Sequence, residues 1–404
     1  MNEPALRFPE FVEDWEICPL SGFARMQSGY AFKSEDFAKS GIPVVRISNI
    51  SADTGFVDLD GIIYHDEING GEKFSIARGD ILMALSGATT GKACVYNSDA
   101  RAYLNQRVGL IKSISPRLHY QYLITLVFSN LFERQLLATL VAGAQPNVSP
   151  KDIEKFEFGF PSLPEQKKIA AFLGVVDAKI AALRDRQAGL ERYKRGLMQA
   201  LFSQRLRFTK PDGTAFPDWE EKLLGEVSEI YDGTHQTPNY VADGVPFFSV
   251  EQVTANNFER TKFIAEDVFK KESKRVILER DDILMTRIGD IGTCRLIDWD
   301  VRASFYVSLA LVKCDKAVNS SFLNQFMSSV LFQRELWKRT IHVAFPKKIN
   351  LGEVGNCMVQ LPHPDEQQTI AEALSAMDAK IQAVTGQVEQ MQTFKKGLLQ
   401  QMFV

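Results

Sequence analysis

The chain has 404 residues, 45% of them apolar, and a formal net charge of −3. That length is enough for more than one hydrophobic core and predicts two to four domains. The composition is that of an ordinary globular protein, and no apolar run is long enough to cross a membrane. The near-neutral charge does not by itself point to a nucleic-acid partner.

The chain begins without the apolar segment that a secretory signal peptide requires. The cysteines form no Cys-x-x-Cys pair and the histidines are scattered, which argues against a structural zinc site or a disulfide framework. These features predict a cytoplasmic, reducing location. The cysteines are Cys18, Cys94, Cys294, Cys314 and Cys357.

Residues 1–159 predict a first globular domain. Strand-like stretches occur at residues 42–50, 80–85 and 108–114, and a helical stretch follows at residues 120–140. This order of elements predicts an α+β domain with a mostly antiparallel sheet.

Residues 160–204 predict a long spacer helix. Pro164 and Glu165 suit its first turn, and Ser162 lies three positions before Glu165, as in a capping box. Apolar residues then recur at steps of three and four, which is a heptad seam. About 38 helical residues give a rod of roughly 57 Å. The seam residues are Ile169, Leu173, Val176, Ile180, Leu183, Leu190, Leu197 and Leu201.

A linker rich in proline and glycine, residues 209–217, leads into a second pair of segments. Residues 205–360 predict a second domain, with strands at 245–253, 282–288 and 308–314 and a helix at 322–340. Residues 361–404 predict a second spacer helix. Its seam residues are Ile370, Leu374, Met377, Ile381, Val384, Val388, Met391, Leu398 and Met402.

The two long helices are copies of one sequence. Residues 160–203 align without a gap on residues 361–404 with sixteen identities in 44 positions, including Asp-Ala-Lys-Ile at 177–180 and 378–381. The preceding domains correspond more loosely, for example at Trp15 and Trp219. The chain therefore reads as a tandem repeat in which the domains have diverged and the helices have not.

Two heptad helices in one polypeptide can bury each other's seams. Because a globular domain separates them, an antiparallel pair with pseudo-two-fold internal symmetry fits best. Two unrelated surface helices and a generic dimerising coiled coil are the alternatives. Helical glycines weaken such a rod by up to ~1 kcal/mol each but let another subunit approach closely, which favours docking. These glycines are Gly174, Gly189, Gly196 and Gly397.

No catalytic motif survives inspection. Residues 87–92 (GATTGK) resemble a phosphate-binding loop but have three residues between the glycines instead of four, and Ala93 follows the lysine. A metal-dependent nuclease built on Asp212, Glu220 and Lys222 remains an alternative, although Asp212 lies in the linker. No serine, histidine and aspartate set is recognisable by spacing.

The chain resembles the specificity subunit of type I restriction–modification enzymes over essentially its whole length. The resemblance rests on residues 161–166 (PSLPEQ) leading into 177–180, on 79–82 (GDIL) with 87–92, on Asn105-Gln106, and on 143–149 (GAQPNVS). The second half departs from this pattern, since Arg280 replaces the glycine before Asp-Ile-Leu and no Asn-Gln occurs near Phe305.

The resemblance implies a non-catalytic subunit with two target-recognition domains, each reading half of a bipartite site on double-stranded DNA. It implies that the helices fix the gap and dock two methyltransferase subunits, through which restriction subunits join. S-adenosylmethionine, ATP and Mg²⁺ would then be used by the partners and not by this chain. An adaptor that joins proteins without reading DNA is the main alternative.

Charge counts refine this expectation. Only residues 160–203 carry a net positive charge, so the isolated chain is expected to bind DNA weakly, with partners supplying much of the phosphate contact. Base readers need polar or basic side chains on loops, and each candidate could instead cap a turn. The basic group Lys270, Lys271, Lys274 and Arg275 is predicted to be a solvated helix face.

The candidate DNA contacts are polar and basic residues near predicted strand ends and turns. In the first domain they are Tyr30, Lys33, Arg46, Ser48, Asn49, Thr89, Thr90, Lys92, Asn105, Gln106, Arg107, Gln145 and Asn147. In the second domain they are Thr234, His235, Gln236, Ser249, Gln252, Arg287, Lys347 and Lys348.

Overall fold

The computed structural model describes residues 3–51, 55–142 and 147–403. The chain folds as two compact units, one made of residues 1–184 and 386–404 and the other of residues 185–385. Each unit therefore contains one globular segment together with parts of both long helices.

The elements of the first globular segment are short, and one long helix follows them. The strands are β1 (Glu16–Pro19), β2 (Ala24–Ser28), β3 (Ile42–Val45), β4 (Ile63–His65), β5 (Ser75–Ile76), β6 (Ile81–Ala84), β7 (Ala93–Val95), β8 (Ala102–Leu104), β9 (Val108–Ser113) and β10 (Glu157–Phe160). The helices are α1 (Tyr120–Val127), α2 (Asn130–Ala142), α3 (Pro150–Glu154) and the long α4 (Leu163–Phe202).

Two four-stranded sheets organise this segment. One has the order β2-β9-β6-β7 and is antiparallel throughout, and the other has the order β4-β3-β8-β5 with β3 and β8 parallel. β6 is buried on both faces because Ile81 and Met83 pack toward α1 and α2 while Leu82 and Ala84 pack toward the second sheet. A separate antiparallel pair, β1 and β10, precedes α4.

The second globular segment repeats this plan. Its strands are β11 (Glu220–Leu223), β12 (Ser228–Asp232), β13 (Tyr240–Val241), β14 (Val245–Phe248), β15 (Lys262–Ile264), β16 (Ile283–Ile288), β17 (Asp290–Leu296), β18 (Ser304–Phe305), β19 (Leu309–Cys314) and β20 (Met358–Leu361). Its helices are α5 (Val250–Ala255), α6 (Glu266–Glu272), α7 (Ser320–Met327), α8 (Val330–Arg339), α9 (Leu351–Gly355) and the long α10 (Pro364–Gln401).

The sheets of the second unit have the orders β12-β19-β16-β17 and β13-β15-β14-β18. As in the first unit, one pair of the second sheet, β14 and β18, is parallel. β2 and β12 are each followed by a glycine that passes close to a neighbouring strand. A Cβ at Gly29 would lie 2.0 Å from the Leu104 carbonyl oxygen, and one at Gly233 would lie 2.1 Å from that of Phe305. Only glycine fits at either position.

The structure corrects several sequence predictions. The strand predicted at residues 42–50 ends at Val45, and a short 3-10 helix follows at Ile47–Asn49. The strand predicted at residues 245–253 ends at Phe248, because the Ser249 backbone N–H and hydroxyl bond the Gln252 side chain and α5 begins there. The single helices predicted at 120–140 and 322–340 are each two helices, since Ser129 and Ser329 start a new one.

None of the helices described here is by itself long and apolar enough to span a membrane. Taken together, α1 and α2 reach the length and apolar composition of a membrane span, but the axis of one helix is bent by 54° relative to the other at their junction.

The long helices pack against each other in opposite directions. In the first unit Ile169 and Leu173, near the start of α4, share a core with Leu398 and Met402, at the end of α10. In the second unit Leu201, at the end of α4, shares a core with Ile370 and Leu374, at the start of α10. The predicted α+β fold with two globular domains and an antiparallel helix pair is confirmed. Every residue named for the two seams is buried or half-buried.

The repeated Asp-Ala-Lys-Ile segment contributes an ion pair to each unit. Lys194 and Lys395 interrupt the seams, and each extends to the aspartate of the other helix: Lys395 Nζ lies 2.5 Å from Asp177 and Lys194 Nζ lies 2.6 Å from Asp378. The Gln325 side chain also donates to Asp378, at 2.8 Å. The lysines that break the apolar pattern therefore bind the partner helix.

The repeated Glu-Gln pair at the start of each long helix is buried. Glu165 is contacted by Arg7 at 2.8 Å and Trp15 Nε1 at 3.3 Å, and not by the capping serine that the sequence suggested. Glu366 is contacted in the same way by Arg207 Nη2 at 2.8 Å and Trp219 Nε1 at 3.1 Å. The hydrogen bond to Glu366 raises the pKa of Arg207, and Glu165 does the same for Arg7.

Candidate nucleic-acid interface

In the first unit the predicted contact residues follow the ends of strands that meet at one edge. The Tyr30 N–H, after β2, donates to the Leu104 carbonyl at 2.8 Å, and the Asn105 N–H, after β8, donates to the Val45 carbonyl of β3 at 3.0 Å. The Gln106 N–H returns to the Tyr30 carbonyl at 2.8 Å. The ladder therefore brings Tyr30, Arg46, Asn105 and Gln106 to one edge of the domain.

The turn between β6 and β7 lies at the same edge. Leu85, just after β6, donates its N–H to the Arg107 carbonyl at 2.9 Å, and Ser86 forms a bridge with Asn147. Within the turn Thr90 donates its hydroxyl to the Gly87 carbonyl at 2.6 Å. The phosphate-loop-like sequence is therefore a β-hairpin connection, and no helix follows it.

Several polar atoms at this edge lack a protein partner. Arg46 Nε, Ser86 Oγ and Thr89 Oγ1 are buried, but none of the residues the structure describes hydrogen-bonds to them. Native folds rarely leave buried donors and acceptors unpaired without a reason such as a ligand or bound water. These atoms lie among the predicted contact residues of the first unit.

The remaining candidates of the first unit divide by exposure. Asn49 is buried: its side chain accepts from the Arg46 N–H at 3.0 Å and donates to the Asp58 carbonyl at 3.0 Å, so it holds a turn. Gln145 lies outside the described residues. Thr90 is half-buried. The exposed candidates are Tyr30, Lys33, Ser48, Lys92, Gln106, Arg107 and Asn147.

The second unit forms the equivalent edge with different residues. The Thr234 N–H donates to the Phe305 carbonyl at 2.9 Å, as Tyr30 does to Leu104, and the Tyr306 N–H donates to the Phe248 carbonyl at 2.9 Å, as Asn105 does to Val45. The Arg287 N–H donates to the Ser308 carbonyl at 2.9 Å, so Arg287 stands where the first unit has Leu85. The two units therefore have the same backbone hydrogen bonds at this edge, but the side chains at the equivalent positions differ.

Asp232, at the end of β12, is contacted by several basic side chains of this second edge. Arg275 Nη2 and His235 Nε2 each lie 2.6 Å from its carboxylate, and Arg287 Nη2 lies at 3.7 Å. Burial favours a raised pKa for Asp232, but the charge of Arg275 and the hydrogen bonds from His235 and Arg275 outweigh it and the pKa is lowered. The carboxylate is therefore ionised at neutral pH and orients the surrounding side chains.

Arg287 is committed to the fold. Its Nε donates to the Val307 carbonyl at 2.9 Å and its Nη1 to the Ile349 carbonyl at 3.2 Å. Burial lowers its pKa, although Asp232 opposes that effect. Only 9% of the Arg287 surface is exposed. Its side chain therefore stabilises the edge through internal hydrogen bonds and does not extend into solvent.

The other candidates of the second unit also separate into two groups. Gln252 and Thr234 are buried, with Gln252 donating to the Arg260 carbonyl at 2.8 Å and Thr234 bonding Glu272 at 3.1 Å. Ser249 is half-buried at the start of α5. The exposed candidates are His235, Gln236, Lys347 and Lys348.

Sequence reasoning missed several residues of these edges. Arg275 was assigned to a solvated helix face, yet it follows the end of α6 and pairs with Asp232. Ser86, Asp232 and Tyr306 were also missed, because no local pattern marks them. The available signal was the repeat itself: superposing the two halves places Tyr306 on Asn105.

The residues of the nuclease alternative have local partners. Asp212 accepts from the Thr214 N–H at 2.9 Å and its hydroxyl at 2.7 Å, which holds the linker turn, and Glu220 pairs with Lys222 at 2.8 Å. Within the described part of the chain, no three His, Cys, Asp or Glu side chains are grouped so that they could hold a metal ion.

Comparison with known proteins bears on both globular segments. The family model for the type I restriction modification DNA specificity domain matches residues 12–192 and again residues 217–392. The putative MjaX specificity subunit of Methanocaldococcus jannaschii is 23% identical, over 96% of this chain and 93% of its own length. The EcoBI specificity subunit of Escherichia coli is 23% identical, over 93% and 82%. The MjaVIII specificity subunit is 28% identical, over about half of each chain.

Solved structures share the fold. The crystal structure of the S subunit of a type I restriction–modification system from M. genitalium aligns with a TM-score of 0.60 and 16% identity, covering 100% of this chain and 99% of that one. A chain from a study of complex assembly in a type I system aligns with a TM-score of 0.58 and 16% identity, covering 96% and 97%. With both matched segments together spanning most of the sequence, the chain belongs to the type I restriction–modification specificity subunit family.

Proposed function

We propose that each globular unit of this specificity subunit reads one half of a bipartite site on double-stranded DNA. The observation that carries this proposal is the pair of equivalent edges: the same backbone bonds hold Tyr30, Asn105 and Arg107 in one unit and Thr234, Tyr306 and Ser308 at the equivalent positions of the other. In the second unit Thr234 and Ser308 are buried, and the exposed side chains His235 and Gln236 follow Thr234. A shared framework with different side chains is what two readers of different base sequences require.

The long helices are proposed to set the gap between the half-sites and to dock two methyltransferase subunits, through which restriction subunits join. Their glycines support docking. At Gly174, Gly189, Gly196 and Gly397 an added Cβ would meet no atom of the described chain within 4 Å, so internal packing does not explain these glycines. The exposed side chains of Val175 and Tyr193 lie on α4, beside the first three of these glycines in sequence. Gly196 and Gly397 are repeat equivalents, as two identical partners require.

We expect the double substitution Gly196→Ala and Gly397→Ala to stabilise the isolated chain by up to ~1 kcal/mol per site, because alanine favours the helix and nothing crowds it. The same change is expected to weaken methyltransferase binding about tenfold. Thermal melting and a subunit titration measure the two effects. Gly352→Ala, in α9, is the control that leaves partner binding unchanged. Unaltered partner binding by the double variant would remove the argument for docking at these glycines.

Methylation is assigned to the methyltransferase subunits, which would use S-adenosylmethionine. ATP and Mg²⁺ would be used by the restriction subunits. The complex is proposed to act in the cytoplasm, where the host DNA lies. Mapping methylated adenines in a host carrying this chain and its methyltransferase tests the proposal. The expected result is one bipartite motif. Exchanging residues 1–159 for those of a relative should change one half of the motif only. Changes in both halves, or sequence-independent binding typical of an adaptor, would contradict it.

A further inference from the structure

A closed loop beside the edge of the second unit presents two apolar side chains to solvent. Ile341 and Lys348 form an antiparallel bridge, with the Ile341 N–H donating to the Lys348 carbonyl at 2.8 Å. The Lys347 carbonyl accepts from the Gly289 N–H at 2.8 Å, which ties the loop to the turn between β16 and β17. Residues 342–347, named the tip loop, are therefore held at both ends.

The apolar groups at the tip have no cover within the described chain. Val343 is 96% exposed and Phe345 is 104% exposed. Exposed apolar side chains that lie close together, unlike single ones, are typical of interaction sites. Because the loop is anchored, its tip stays presented at little entropic cost on binding.

The base of the tip loop is basic and aromatic. Lys347 and Lys348 are exposed, and no carboxylate of the described residues pairs with either. Lys347 Nζ lies 5.3 Å from the Trp337 ring, and the His342 ring lies 4.1 Å from that same indole. The neighbouring Lys338 and Arg339 are neutralised in part by Glu335, at 2.7 and 2.6 Å. Apolar side chains beside lysines that have no carboxylate partner are complementary to a nucleic-acid duplex, which has anionic phosphates outside and apolar base faces inside.

The loop also borders the proposed reading edge. The Ile349 N–H donates to the Arg287 carbonyl at 3.0 Å, as Val148 does to Leu85 in the first unit. Resting on the proposed function, we propose that the tip loop enters a groove of the DNA, where Phe345 and Val343 contact or part a base step while Lys347 and Lys348 bind the flanking phosphates. Apolar wedges of this kind act at flexible pyrimidine–purine steps.

The test uses the complete complex of this chain with its methyltransferase subunits on duplex DNA carrying its mapped site. Phe345→Ala with Val343→Ala is expected to weaken binding about tenfold, the scale of one lost base contact, and to leave the salt dependence unchanged. Lys347→Ala with Lys348→Ala is expected to flatten the slope of log affinity against log salt by about 1 per lysine. Val330→Ala, which truncates an apolar side chain that is 60% exposed on α8, is the control.

A second readout separates DNA insertion from other uses of the loop. 2-Aminopurine placed in turn along the second half-site is expected to brighten at one step with the parent complex and not with the Phe345→Ala variant. Unchanged affinity and fluorescence would overturn the proposal, as would loss of methyltransferase assembly in the tip variant, which would make the loop a protein contact. If the parent complex shows no sequence preference at all, the proposed function fails instead.

Discussion

Replacing Glu366 by alanine is expected to lower the free energy of unfolding by about 3 kcal/mol. The carboxylate is fully buried and is bound by Arg207 and the Trp219 indole. Its removal leaves Arg207 with only the exposed Asp218, at 3.7 Å, as an ion-pair partner, and leaves the Trp219 N–H without an acceptor. The loss is placed at the lower end of the range for buried pairs because the Arg207 side chain is 22% exposed and water reaches it.

Urea unfolding followed by circular dichroism and tryptophan fluorescence measures this effect. Glu372→Ala, an exposed glutamate on the same helix, is the control and is expected to change stability by no more than about 0.5 kcal/mol. Glu366→Gln is expected to fall between the two, since an amide oxygen still accepts from Trp219. Equal stability of the Glu366→Ala and Glu372→Ala variants would contradict the role assigned to the buried carboxylate.

Replacing Arg287 by leucine is expected to cost about 2–3 kcal/mol of unfolding free energy. The change leaves the Val307 and Ile349 carbonyls without their donor and removes one cation from Asp232. The first unit has no charged residue at either position, since Leu85 corresponds to Arg287 and Ser28 corresponds to Asp232 in the backbone pairing. Adding Asp232→Ser to Arg287→Leu is therefore expected to recover about 1 kcal/mol relative to the sum of the single changes.

A double-mutant cycle in urea measures that coupling. The exposed pair Arg280 and Asp300, at 3.5 Å, is the matched control, and Arg280→Leu with Asp300→Ser is expected to show almost no coupling. If the coupling free energy between Asp232 and Arg287 is as small as that of this control pair, the two charges do not stabilise one another.

The fold was predictable to the extent that it is encoded in periodicity. The heptad steps from Ile169 to Leu201 predict a helix, and the fixed shift between its two copies predicts a repeat, because both signals depend only on spacing along the chain. Antiparallel pairing also followed, since two such seams in one polypeptide must be covered. The element boundaries did not follow where one residue redirects the chain, as Ser249 does by starting α5 after a strand-like run.

The candidate interface was predictable in its residue types but not in their roles. Polar residues at strand ends such as Tyr30 and Asn105 are visible in the sequence and lie at one edge. Asn49, Gln252 and Arg287 are of the same types, yet their side chains hydrogen-bond within the fold. Exposure separates the two groups, and exposure depends on which strands pair, which the local sequence does not state.

The sequence by itself determined the repeat, the two helical seams and the positions of Trp15, Trp219, Glu165 and Glu366. Only the tertiary structure decided that each glutamate receives an arginine and a tryptophan far away in sequence, and that Lys194 and Lys395 bind the aspartates of the opposite helix. The reason is physical: periodicity is a property of neighbouring residues, whereas a buried ion pair is fixed by the path of the backbone between its partners. The same distinction separates the polar side chains that support each edge from those that face outward.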